Sequence, residues 1–229
     1  MSLRTVVVWL FAFLFGFQSS NAQFTSCNFI ELTKCQATFN DALNIPANLD
    51  WKTVPSLRLN VEGLYETSNT TGLLSVCRAF KEFKTCFSTG ATGYSNCISV
   101  LGLLIDGNFQ STMITPKQAF DYVKLFTQFD FACGAGMAPF MNSYACMSQV
   151  FKSQRTTLNS CLTTFDNSVA SDPKEACAYG ANAQQCYSQP FMTACGQQAA
   201  WWGCEYERMG VSVAYPQCTS NYCQLVTSG

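Results

Sequence analysis

The sequence predicts an all-α fold: a disulfide-stapled bundle of short helices with an irregular C-terminal tail. Three observations carry that expectation. Apolar residues recur at helical spacing while strand-like alternation is sparse, and two segments carry helix start signals. Fourteen cysteines, an even number, also follow a leader that addresses the chain to an oxidising compartment.

The leader is residues 1–22. Arg4 supplies the positive start, Val6 to Phe17 form an apolar run of 12, and Ser20-x-Ala22 offers the small residues that signal peptidase cleaves after. A run of 12 falls short of the ~20 residues a spanning helix needs, and Ile98 to Ile105 is shorter still. A signal peptide, a secreted chain and no membrane span are therefore expected. Cleavage leaves 207 residues with 12 basic against 14 acidic groups. So balanced a chain has no basic stripe for a phosphate backbone, which argues against nucleic acid, and no basic cluster for an anionic membrane surface. The expected organisation is one helical domain over 23–209 and a tail over 210–229.

The elements follow in order. Leu57, Leu59 and Val61 alternate as in a strand, but Leu57, Val61 and Leu64 also share a helical face, and helix is preferred. Asn69-Thr70-Thr71 is a glycosylation sequon, in a stretch whose Ser, Thr and Gly suit a surface loop. Leu73, Val76, Phe80, Phe83 and Phe87 make an apolar stripe opposite Arg78, Lys81, Glu82 and Lys84. Thr115-Pro116-Lys117-Gln118 reads as a capping box with proline at the first helical position, and the helix should end at Cys133-Gly134. Asp172-Pro173-Lys174-Glu175 is a second start, with Asp172 as cap.

Cys177, Cys186, Cys195 and Cys204 recur every ninth residue. Nine helical residues turn ~900° and rise ~13.5 Å, so successive sulfurs face opposite sides and cannot share a metal. Pro190 should split the stretch, leaving Cys177 and Cys186 on one helix and Cys195 and Cys204 on the next. Each then needs a partner on a different neighbour, and the same interval recurs at Cys77 and Cys86. Together with Cys27, Cys35, Cys97, Cys133, Cys146, Cys161, Cys218 and Cys223 they read as staples, with the pairing open. Zinc could be held by four thiolates, but no C-x2-C pair exists, and Cys218-x4-Cys223 stands alone. The same absence disfavours a dithiol redox centre.

The chain contains no histidine. That removes Ser-His-Asp and Cys-His catalysis, the H-E-x-x-H zinc helix and the commonest transition-metal ligand. A carboxylate-based hydrolase remains as a remote alternative, but its tightest acidic pair, Glu205 and Glu207, points to different sides of a helix. The pair reads as a solvated patch with local ion pairing to Arg208. Trp201 and Trp202 read as core more than as a binding surface. No catalytic residue, metal or cofactor is expected.

Five segments resemble a nematode-expanded family of secreted proteins, the domain of unknown function 19. They are Cys27-x7-Cys35; CRAFKEFKTC from Cys77 to Cys86 with Cys97; FACGAGMAPFMNSYACMSQV around Cys133 and Cys146; the lone Cys161; and the stretch to Cys204 with its Cys195-Gly196 turn. Cys218 and Cys223 look like an added tail pair. The resemblance implies an extracellular, helical, disulfide-bonded module, and no activity, cofactor or catalytic residue. The function expected is a secreted, non-catalytic interaction module whose partner is an extracellular protein, a glycan or a small apolar ligand. The alternative is a carrier for a small apolar ligand or lipid, since 15 phenylalanines in the mature chain could line a cavity.

Overall fold

The computed structural model describes residues 26–67, 69–87, 93–105, 114–218 and 220–224; the leader expected at 1–22 lies outside them. The described chain is helical throughout, and no strand occurs among the described residues. In order the helices are α1 (Phe29–Ala42), α2 (Val54–Leu64), α3 (Thr71–Cys86), α4 (Tyr94–Cys97), α5 (Val100–Leu104) and α6 (Pro116–Cys133). They continue as α7 (Met137–Asn142), α8 (Tyr144–Ser153), α9 (Arg155–Ser171), α10 (Ala176–Cys195) and α11 (Gln197–Ala214).

Local chemistry places the ends. The Asn28 side chain caps α1 by accepting from the amides of Ile30 and Glu31. At α6 the expected capping box is present: the Gln118 amide donates to Thr115 Oγ1 at 3.2 Å, and the Thr115 amide to Gln118 Oε1 at 2.9 Å. Asp172 accepts from the Lys174 amide at 3.1 Å, opening a short 3-10 turn, Pro173–Glu175, that runs into α10.

Pro190 does not divide its helix. It lies inside α10, and the break falls at Gly196, so Cys195 ends the first helix and does not begin the second. Proline removes the bond that the Cys186 carbonyl would accept, but Cys186 is exposed and water can take that place. Helix α10 is meanwhile clamped between α9 and α11. Gly196 turns the corner with φ 83° and ψ −171°, a region open essentially to glycine alone. The α10–α11 hairpin is close: a methyl on Gly203 would come within 2.7 Å of the Phe191 ring. At the other end α11 runs on to Ala214, so residues 210–214 of the expected irregular tail are helical.

All fourteen cysteines pair: Cys27–Cys97, Cys35–Cys86, Cys77–Cys133, Cys146–Cys195, Cys161–Cys186, Cys177–Cys218 and Cys204–Cys223. The four cysteines at nine-residue spacing find four different partners, but only Cys186 and Cys195 bond to other helices, α9 and α8, whereas Cys177 and Cys204 both bond to the tail. Cys218 and Cys223 are not bonded to each other; they tie the tail to α10 and α11. Every bridge lies wholly within 27–133 or wholly within 146–223. The chain thus forms two stapled halves, and none of the seven bridges joins one half to the other.

What joins the halves is packing. Spatial neighbours run α1, α3, α6, α11, α10, α9, with α6 on α11 as the seam. On the inner side of α6, Tyr122, Phe126 and Phe129 are fully buried. Phe126 stacks on Phe83 at 4.5 Å between ring centres, and Phe39 and Phe80 close the cluster. These phenylalanines fill a core and do not line a cavity. Trp202 is fully buried at the seam, 4.8 Å from the Tyr206 ring and against Phe131, Phe140 and Phe151.

Candidate functional site

The other face of α6 is polar. Lys117, Asp121, Lys124 and Gln128 repeat at intervals of three and four, which stacks them on one side of the helix. That side faces the second half across the seam. Lys124 donates to Glu207 at 2.8 Å, and Gln128 Nε2 donates to Glu207 at 3.1 Å and to the Tyr206 carbonyl at 3.0 Å. Arg58, from α2, donates to Glu62 at 2.7 Å and reaches Glu207 at 3.5 Å. The Tyr187 and Tyr206 hydroxyls also donate to Glu62, at 3.4 and 3.2 Å, and both rings lie under the Arg58 guanidinium at 5.7 and 5.5 Å.

This quartet of Arg58, Lys124, Glu62 and Glu207 sums to zero charge, and Glu207 is wholly inaccessible. Burial opposes the charge on Arg58, but Glu62, with Tyr187, Glu207 and Tyr206 around it, holds the guanidinium well above its ordinary pKa. Burial, reinforced by Glu62, pushes the Tyr187 and Tyr206 hydroxyls well above their usual range. Gly210 makes room for the arrangement. A methyl there would meet Lys124 Cε at 2.7 Å and Gln128 Nε2 at 2.8 Å.

Nearer solvent, Lys117 bonds Asp121 at 2.8 Å and Asp166 of α9 at 3.3 Å, a polar strap across a groove between α6 and α9. On the α2 side the groove opens into a lobe of about 310 Å³ lined by Val54, Pro55, Leu59, Leu125 and Leu162. On the α11 side it opens into a lobe of about 360 Å³ lined by Phe120, Phe165, Val169, Val211 and Tyr215. Both lobes share Lys117, Asp121, Lys124 and Asp166. Lys124 Nζ lies 5.4 Å from the centre of the Phe165 ring. Concave, largely apolar space with a few placed polar groups is the usual form of a small-molecule site.

Glu205 and Glu207 do diverge, but they are not a solvated patch. Glu205 is 8% exposed and pairs with Arg208, whereas Glu207 is 0% exposed and enters the quartet. The expectation failed because it weighed the two residues against helix neighbours, while the partners of Glu207 come from α2 and α6. Arg58, Glu62, Lys124 and Gln128 were not singled out from the sequence. The i,i+4 spacing of Arg58 and Glu62 was the only local signal. Asn69 is exposed on the turn before α3, and its side-chain oxygen accepts from the Thr71 amide at 3.0 Å and from the Thr71 hydroxyl.

The fold defines a disulfide-rich helical class with a groove on its internal seam. No family model matches the chain, and neither a curated protein nor a solved structure matches it. Among the described residues no helix is long and apolar enough to cross a membrane, and no cluster of three or more His, Cys, Asp or Glu could hold a metal ion.

Proposed function

We propose that this chain is a secreted, non-catalytic helical module that works outside the cell by binding. The observation that carries the reading is the pairing of all fourteen cysteines within a helical body, a framework that persists in oxidising compartments. The leader-like residues 1–22 and the resemblance to the domain of unknown function 19 support it. So does the state of the buried carboxylates. Glu62 and Glu207 are each held by a cation and further donors, an arrangement that stabilises charge but leaves little access to a substrate. Extracellular proteins and glycans are partners of the module, and glycosylation at exposed Asn69 belongs to the same reading.

A second reading, carriage of a small apolar ligand, is favoured by the two-lobed groove. Expression in secreting eukaryotic cells tests the first. The medium should contain a chain beginning at Gln23 that takes up no alkylating agent under denaturation, with a mass about 14 Da below the reduced form once any glycan is removed. Retention inside the cell, labelled thiols, or turnover by the purified protein would overturn it.

A further inference from the structure

The charges of the groove point to the ligand it accepts. The buried quartet is neutral, so the charge of the mouth rests on Lys117, Asp121 and Asp166, which sum to −1. Lys117, whose side chain is 67% exposed, is the one cation serving both carboxylates. Each carboxylate has further acceptor capacity facing solvent, since the Asp121 and Asp166 side chains are 29% and 48% exposed. Behind them the Phe165 ring bounds the apolar part of the lobe, and the Lys124 ammonium near its face is neutralised by Glu207. An anionic ligand would have to compete with Asp121 and Asp166 for Lys117, or with Glu207 for Lys124.

We propose that the α6–α9 groove binds a small monocationic amphiphile, an alkyl or arylalkyl amine. Its ammonium takes the place of the Lys117 ammonium between Asp121 and Asp166, the exposed Lys117 side chain turning to solvent, and its apolar body lies in the α11-side lobe against Phe120, Phe165 and Val211. The lobe, at about 360 Å³, falls within the usual size range of small-molecule sites. The inference rests on the reading of the chain as a binding module and names the ligand class and site that the reading leaves open. Because the mouth draws Lys117 and Asp121 from one stapled half and Asp166 from the other, the ligand bridges the seam.

Titration calorimetry of the intact secreted protein at pH 7 tests it with three probes of equal length: decylamine, decan-1-ol and decanoic acid, each kept below self-association. Decylamine should bind about tenfold or more tighter than decanoate. Asp121→Asn with Asp166→Asn takes the mouth from −1 to +1 and should invert that order, a response that a purely structural role would not give. Ala170→Trp, at an exposed position on the lobe, should weaken all three probes alike while the fold is unchanged by circular dichroism. Equal or tighter binding of decanoate by the natural protein, an order unmoved by the double substitution, or no binding of any probe would overturn the site. Recovery of chemically altered decylamine would instead overturn the binding reading beneath it.

Discussion

Helix α6 presents two faces to two different worlds. Its inner face, Tyr122, Phe126 and Phe129, meets α1 and α3 of its own half in a buried aromatic cluster. Its outer face, Lys117, Asp121, Lys124 and Gln128, meets the other half through ions and hydrogen bonds. Within each half, disulfides already limit the unfolded chain, and the apolar contacts need only fill space. No disulfide crosses the seam, so packing such as Phe131 on Trp202 joins the halves and the buried charges bias how they register. A buried ion pair stabilises weakly compared with well-packed apolar residues, yet it penalises every arrangement that leaves a charge unpaired.

The sharpest test of this contrast pairs one substitution on each face. Phe126→Ala should cost ~3–5 kcal/mol through the cavity it leaves. Glu207→Ala should cost ~3–5 kcal/mol as well, by stranding Lys124 and leaving Arg58 with Glu62 alone. Denaturant midpoints would report both. The difference lies in rescue: adding Lys124→Met to Glu207→Ala should recover at least half of the loss, because it removes one stranded charge. If the second substitution deepens the loss instead, the seam is held by packing and the charges follow from it.

Bridges rank next. In a chain-entropy account, cost rises with loop length. Cys27–Cys97 spans 70 residues and Cys204–Cys223 spans 19. Replacing both cysteines of a bridge by serine should cost ~4 kcal/mol for the first and ~3 kcal/mol for the second. A single cleavage between Cys133 and Cys146 should also give two fragments on a non-reducing denaturing gel that stay associated under native conditions. One band on that gel would disprove the division into separately stapled halves.

What could be read in the sequence divides along the same line. The inner face of α6, the stripe of α3 and the capping box at Thr115 follow rules that act within a few residues. The seam does not, because Glu207 finds Lys124 and Arg58 at separations of 83 and 149 residues. Pro190 shows the same limit: the local rule predicts a break, but packing on both sides of α10, at a point where Cys186 is exposed, outweighs it. The cysteine spacing at nine was informative because it excluded a shared site by geometry alone, although it could not name partners. Phenylalanine content was ambiguous between core and cavity, and only the arrangement in space shows that the α3–α6 cluster is core while Phe120 and Phe165 line a groove.

Alkali offers a gentler probe of both faces. Burial raises the hydroxyl pKa of Tyr122 on the inner side and of Tyr65, Tyr187 and Tyr206 around the quartet, with Glu62 adding to the last three. In the unfolded chain a tyrosine loses its proton near pH ~10. Below that pH both states keep the proton and these groups confer no pH dependence. Above it the unfolded state binds fewer protons, so stability falls as pH rises, by ~1.4 kcal/mol per pH unit for each buried tyrosine. The part of the 295 nm absorbance change that is lost on Tyr187→Phe and Tyr206→Phe should therefore coincide with the loss of helical circular dichroism above pH ~10. That part appearing while the helices stay intact would show that the quartet opens to solvent on its own.

The smallest effect is the most pointed. Glu205 stands two residues from Glu207 on the same helix and is nearly as buried. Its partner, Arg208, lies on that helix too, and the bond raises the Arg208 pKa. The Arg208 side chain is 29% exposed, so losing Glu205 lets the guanidinium turn to water. Glu205→Ala should then cost only ~0–1 kcal/mol, against ~3–5 for Glu207→Ala. Both remove a carboxylate hydrogen-bonded to a cation, and both leave α11 with a better helix former. What separates them is whether the partner can reach water, and that follows from which half it belongs to. Equal costs would mean that burial alone, and not the seam, sets the energetics of this helix.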